Sequence, residues 1–329
     1  MTTTKLRRWA SAATLGVLAL LAQTQALAQG YPNRPIRLVV PFPAGGATDL
    51  LARAITQKLG AQLGQQIVVD NKAGAGGSLG SGEAAKAAPD GYTLLIATSS
   101  THSIGPHLNA KLGYKVDEDF TPVAHVANAA NVVLVTPSLP VKDIKELIAL
   151  AKVRPGQLNY ASSGNGTIVH LSSEAFKSQA GVFITHIPYR GTALAIPDLV
   201  AGNTQLLFDS IVSGMPHVKD GRLKALAVTG RTRSTLAPEL PTVSESGLPG
   251  YESVTWFGIY GPKGLPPAIV ARLNSEFNAA MQSAEVRERL AKLGAEPAGG
   301  SSPAQFAAMV KADSERWGRL IRERKITLE

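Results

Sequence analysis

Short apolar, β-branched runs alternate along the chain with stretches whose apolar positions recur every three or four residues. Ile36 to Phe42 is the first run and predicts a strand; Leu50, Leu51, Ala54, Ile55 and Leu59 then recur at helical spacing. Gln66 to Asp70 predicts a second strand, followed by a glycine-rich loop and a short helix over Leu79 to Ala87. Pro89-Asp90-Gly91 is a turn that leads into a strand over Tyr92 to Ala97. This β-α-β-α-β order predicts a parallel sheet with helices on both faces. A second set follows. Strands are expected at Asn131 to Thr136, Leu158 to Ala161, Val182 to Ile187, Gln205 to Phe208 and Leu223 to Thr229. Helices are expected at Val141 to Lys152, Thr167 to Gln179 and Thr192 to Ala201. The tail predicts helices at Ala268 to Met281, near Ala284 to Leu293, and at Pro303 to Arg324.

Two strand–helix sets in one chain imply two α/β domains. The crossings between them are expected near Ala127 to Asn131 and between Arg231 and Ser253, a segment rich in Ser, Thr, Pro and Gly. That assigns residues 29–130 with 231–329 to one domain and residues 131–230 to the other. Two crossings make a hinge. The N-terminus predicts export. Lys5, Arg7 and Arg8 precede an apolar stretch from Trp9 to Ala22, and Ala26-Leu27-Ala28 fits the small-x-small cleavage rule. Residues 1–28 are therefore expected to be a signal peptide, with cleavage after Ala28 and a periplasmic product. The stretch is shorter than the ~20 residues a spanning helix needs.

Charge and composition then narrow the classes. Loss of residues 1–28 lowers the formal charge from +9 to +6, with the basic residues scattered. Aromatics are 5% of the chain, and no basic stripe is interleaved with them, so nucleic-acid binding is not expected. With no cysteine and no His ligand spacing, neither a disulfide nor a metal site is expected. No Walker loop is present, and Gly80 to Ala85 matches only a loose dinucleotide pattern outside the first βαβ unit, so no cofactor is expected. Gly76-Gly77-Ser78-Leu79-Gly80 matches the G-x-S-x-G hydrolase pattern, but Asn71 to Ala75 separate it from the preceding strand. Catalysis there would show as ester turnover abolished by Ser78→Ala; a chance match is the simpler reading.

The candidate chemistry lies in two polar or glycine-rich turns, each opening a helix. The first is Phe42, Pro43, Ala44, Gly45, Gly46 and Ala47, with Asp49 in the first turn of the helix. The second is Ser162, Ser163, Gly164, Asn165, Gly166 and Thr167, with His170 one turn further on. A helix start leaves backbone N–H groups free where the dipole favours negative charge. Two such turns, one per domain, suggest a clamp on a small anion. Each also reads as an ordinary strand–helix turn, with Thr167 as N-cap and His170 packed. A third polar turn, Thr98, Ser99, Ser100, Thr101 and His102, follows its strand, as do Tyr189, Arg190 and Asp209; ligands in parallel sheets sit at the carboxyl ends of strands. Arg190 is either a carboxylate partner or a surface residue. Thr167→Val is expected to weaken carboxylate binding by about 1–3 kcal/mol through the lost hydroxyl while leaving the fold intact.

The ordered set of motifs resembles a known family. Pro41-Phe42-Pro43-Ala44-Gly45-Gly46, Val69 to Gly77 and Pro89 to Leu94 form one series. Ser163 to Thr167 with His170-Leu171, His186 to Gly191, and Trp256-Phe257-Gly258 form the other. Together they resemble the Bug periplasmic substrate-binding proteins of tripartite tricarboxylate transporters, over nearly the whole mature chain. The resemblance implies a periplasmic-binding-protein-like fold, with a mainly parallel sheet in each domain and the ligand in the interdomain cleft. It implies a monomer that is not an enzyme, closing on a di- or tricarboxylate, an acidic amino acid or an aromatic acid. The turns at Phe42 to Ala47 and Ser162 to Thr167 would grip it, and Ser99 to His102, Tyr189 and Asp209 would line the cleft. The implied partners are the large and small membrane subunits of a permease. An orphan sensing module that presents ligand to a membrane receptor is the alternative.

Overall fold

The computed structural model describes residues 30–109 and 112–327; the expected signal peptide lies outside them. The first set of elements is β1 (Ile36–Val40), α1 (Ala47–Leu63), β2 (Ile67–Asn71), α2 (Ser78–Ala85) and β3 (Thr93–Thr98). Strands β2, β1 and β3 pair parallel, as the alternation predicts. Leu94 to Ala97 are apolar and fully buried because β3 is flanked by β1 and by a later strand. Gly64 ends α1 in the left-handed conformation (φ 68°), where a side chain would be strained. The polar segment after β3, expected to be a turn, is wide-wound helix over Ser100–Ile104, running into the short α3 (Gly105–Leu108). A second short helix, α4 (Val116–Asp119), precedes β4 (Phe120–Val135).

Strand β4 is much longer than the apolar run at Asn131 to Thr136 indicates. Its first part is interrupted by Thr121, Pro122, His125 and Asn128, which blurs the alternation. The second set is α5 (Ile144–Val153), β5 (Asn159–Ser162), α6 (Ile168–Ala180), β6 (Thr185–Pro188), α7 (Thr192–Ala201), β7 (Leu206–Ser210), α8 (Ile211–Lys219) and β8 (Lys224–Val228). Helix α8 is absent from the sequence pattern because Gly214 and Pro216 mask it; the glycine lets β4 approach, since a Cβ there would lie 2.9 Å from Leu134. The chain returns through β9 (Val254–Pro262), also unpredicted, and finishes with α9 (Pro267–Gln282), α10 (Ala284–Lys292), β10 (Glu296–Pro297) and α11 (Pro303–Arg324). A capping box between Ser302 and Gln305, with Pro303 at the first position, sets the start of α11 where the pattern puts it.

The two sets share β4. From Phe120 to Ala130 it pairs antiparallel with β9, which continues the first sheet beside β3. From Asn131 onward it pairs antiparallel with β7 and β8, and β7 leads to the parallel β5 and β6. The changeover is tied where the chain crosses a second time. Thr229 N–H donates to Asn131 O (2.8 Å), Ser253 N–H donates to Thr229 O (2.9 Å), and Asn131 N–H donates to the Thr229 hydroxyl (2.7 Å).

Candidate functional site

Four helices begin at one place. The carboxyl ends of β1, β5, β6 and β7 lead into α1, α6, α7 and α8, and the starts of all four line a cavity of about 50 Å³ between the two strand sets. Gly46, Ala47 and Thr48 bring α1; Ile168 and Val169 bring α6; Gly191 and Thr192 bring α7; Ser210 brings α8. The first backbone bond of α1 runs from Leu50 N–H to Gly46 O (3.0 Å), so the N–H groups of Ala47, Thr48 and Asp49 have no carbonyl within the helix to meet. Each helix start carries a partial positive charge. No Lys, Arg or His is among the described residues lining the cavity.

Three residues of the cavity wall each have a buried side-chain polar atom with no hydrogen-bond partner among the described residues: Thr98 Oγ1, Asn131 Oδ1 and Thr255 Oγ1. Buried polar atoms are almost always paired, so three orphans around one void mark a place where a ligand or water completes the bonding. Thr98 opens the third polar turn, but none of the three was named as a ligand contact from sequence. Thr98 ends a strand, Thr255 precedes the Trp256-Phe257-Gly258 motif, and Asn131 is a polar residue opening an apolar strand run; that last oddity was the available signal.

Of the sequence candidates, Phe42, Pro43, Gly46, Ala47, Ser100, Ser163 and Asp209 line the cavity. Ser100 Oγ accepts from Ile168 N–H across the cleft (2.9 Å). Asp209 is buried, which pushes its carboxyl up to about 6 against donation from Ser213 Oγ (2.7 Å), the Thr192 hydroxyl and the Ser210 N–H.

The other candidates stand behind or beside the void. Asp49 braces the first turn: its carboxylate accepts from Gly45 N–H (2.9 Å), Arg53 and Asn71 (3.1 Å), and Asn71 also donates to Phe42 O. Burial raises that carboxyl, but Arg53 and the other donors outweigh burial and hold it below the usual range. Ala44 and Gly45 belong to that turn but do not line the cavity. The Thr167 hydroxyl donates to Gly164 O (2.7 Å) and accepts from His170 N–H, so it is the cap of α6 and is absent from the cavity wall. Ser162 Oγ lies 2.6 Å from His186 Nε2 and accepts from Gly164 N–H; it is fully buried and off the cavity, which gives this Ser–His pair a bracing role. His170 Nδ1 accepts from Gly166 N–H (3.2 Å), and its ring stacks on His186 at 4.2 Å. Burial lowers His170 to about 4 and His186 to about 3, so both stay neutral at pH 7.

Ser99 and Thr101 are buried beside Thr98, with the Thr101 hydroxyl donating to Thr98 O (3.1 Å). His102 faces away from the cleft, into a second cavity of about 1030 Å³ beside α11, packed on Tyr260 and Phe120. Tyr189 donates to Asp198 (2.5 Å), and Arg190 is exposed. Gly164, Asn165 and Gly166 form a lip of the cleft. A Cβ at Gly76 would lie 2.8 Å from Asn165 O, one at Gly164 3.1 Å from Tyr189 O, and one at Gly191 2.5 Å from Pro43 Cδ. Ser78 donates to Ala75 O (2.8 Å) as part of a local turn.

The model of the tripartite tricarboxylate transporter family receptor matches residues 51–326. The chain belongs to this receptor family. It is 38% identical over 312 residues to the protein BugT of Bordetella pertussis, covering 94% of each chain. Among solved structures it resembles Rpa4515 of R. palustris with adipate (TM-score 0.88, 39% identity, covering 90% of this chain and 99% of that one). It also resembles MatC of Rhodopseudomonas palustris with bound malate (TM-score 0.84, 35% identity, covering 88% of this chain and 100% of that one). The family is one of periplasmic binding proteins with the two-domain fold, a non-enzymatic component of transport. The G-x-S-x-G match accordingly has no catalytic counterpart here.

Proposed function

We propose that this receptor captures a small carboxylate in the cavity between its strand sets, closes on it by bending at the two crossings, and delivers it to the membrane subunits of a tripartite permease. The observation that carries the reading is the meeting of four helix N-termini at a void with no basic side chain among the described residues that line it. Backbone N–H groups and hydroxyls, rather than a counter-ion, supply the attraction. Micromolar binding needs about 8 kcal/mol. A hydrogen bond to a charged group nets about 1.5–3 kcal/mol, so four to six of them reach that figure after closure is offset. The adipate and malate in the two solved relatives agree with this chemistry. Residues 29–130 with 231–329 form one moving body and residues 131–230 the other, and residues 1–28 direct export.

The test is calorimetric titration with a panel of mono-, di- and tricarboxylates, each beside its neutral carboxamide. Binding of one carboxylate series and none of the amides is expected. Thr98→Val and Thr255→Val should each weaken that ligand about tenfold, since each removes a hydroxyl with no other partner. Equal binding of acid and amide would overturn the anion reading.

A further inference from the structure

The orientation of one buried amide narrows the ligand class. Asn131 is fully buried, and it lines the cavity. Its side chain meets Ser172 Oγ at 3.0 Å. A hydroxyl has one proton, and that of Ser172 goes to Ile168 O at 2.6 Å. Toward its other two neighbours, Asn131 and Ser253 Oγ (2.5 Å), Ser172 can then only accept. The group of Asn131 that faces Ser172 must therefore be the donor, Nδ2. Oδ1 is left on the other side, where it has no partner among the described residues. The backbone cannot shift to relieve it, because Asn131 N–H and O are both bonded to Thr229. Thr98 and Thr255 hydroxyls can rotate to donate or accept, so they do not discriminate between ligands. Asn131 Oδ1 only accepts. A carboxylate oxygen placed against it would pair two acceptors and leave both unsatisfied.

We infer that the ligand is a carboxylate bearing a hydrogen-bond donor, a hydroxyl or an amino group, that meets Asn131 Oδ1. This rests on the carboxylate reading above. Asn131 is thus the residue that sets specificity, favouring hydroxy- and amino-carboxylates over their unsubstituted parents.

The experiment is calorimetric titration at neutral pH with length-matched series: succinate with malate and aspartate, glutarate with 2-hydroxyglutarate and glutamate, adipate with 2-hydroxyadipate and 2-aminoadipate. In the series that binds, a donor-bearing member is expected to bind about tenfold or more tightly than its parent, and the hydroxy and amino arms show which donor the site takes. Asn131→Leu should bring the ratio to near unity. Ser172→Ala, which removes the acceptor that holds Nδ2 and frees the amide to turn, should also narrow it; melting curves report that both variants fold. Equal affinities within the binding series would overturn this inference and leave the carboxylate reading standing. A preference that survives Asn131→Leu would overturn the assignment to Asn131. Failure of every carboxylate to bind would overturn both readings together.

Discussion

At the scale of single residues, position in the turn matters more than residue type. Thr167 and Ser163 are both hydroxylated residues of the second turn, yet only Ser163 lines the cavity. Thr167→Val is therefore expected to act on stability, by about 1 kcal/mol for a lost cap. Its ligand affinity should stay within about twofold of wild type, in place of the larger loss that a direct contact would give. Denaturant melts and titration of the same sample separate the two. The stacked histidines carry a pH signature. An unfolded imidazole takes its proton near 6.5, but His170 resists until about 4 and His186 until about 3. The unfolded state thus binds more protons between these limits, so their contribution to stability is fully present above about 6.5 and is lost as pH falls toward 4. The melting temperature should fall across that range, and His186→Gln should flatten the fall. An unchanged slope in the variant would remove the pair from this role. Asp209 works in the opposite sense: its raised carboxyl favours the folded state as pH falls through about 6, and Asp209→Asn should steepen the acid loss.

At the scale of elements, the lip of the cleft is a run of close approaches that only glycine permits. Gly191 has φ of 146°, and a Cβ there would lie 2.5 Å from Pro43 Cδ on the opposite strand set. Gly191→Ala is expected to hold the lips apart and cost at least tenfold in ligand affinity, roughly 1.4 kcal/mol. The melting temperature without ligand should also fall, because a φ of 146° strains any side chain, but by less than the affinity if the contact with Pro43 serves closure. Equal losses in both would mean that the residue serves the fold of α7 rather than closure. The same scale explains why some elements were legible and others not. Helix α11 has a capping box, a proline at its start and a regular apolar stripe, so local chemistry alone sets it. Helix α8, strand β9 and the first part of β4 contain glycine, proline or polar interruptions that local rules read as breaks. Contacts with distant strands hold them in place.

At the scale of the whole molecule, the two strand sets are joined by β4 and by the β8–β9 return, pinned together through Asn131, Thr229 and Ser253. Bending at that point is the motion proposed for capture. Small-angle scattering should show the radius of gyration decreasing on saturation with the carboxylate that calorimetry selects; an unchanged radius would argue against closure. The alternation of strand and helix, the doubling of the set, the two glycine-bearing turns and the order of motifs were all written locally, and so the α/β class and the receptor family could be read from the chain. Apolar period and turn chemistry depend on neighbours a few residues away. Which face of each turn meets the void does not. Phe42, Gly46 and Ser163 came to the cavity, while Thr167, His102 and His170 turned into caps and packing. Thr98, Asn131 and Thr255 became the orphaned groups of the wall only because β3, β4 and β9, far apart in sequence, lie side by side. Sequence alone therefore determined that three of the four strands at the cavity would each end in a helix start; the fourth start, that of α8, was not legible. Tertiary structure decided that those starts share one cavity and which polar atoms are left there without a partner, because pairing is a property of what surrounds an atom in space and not of its place along the chain.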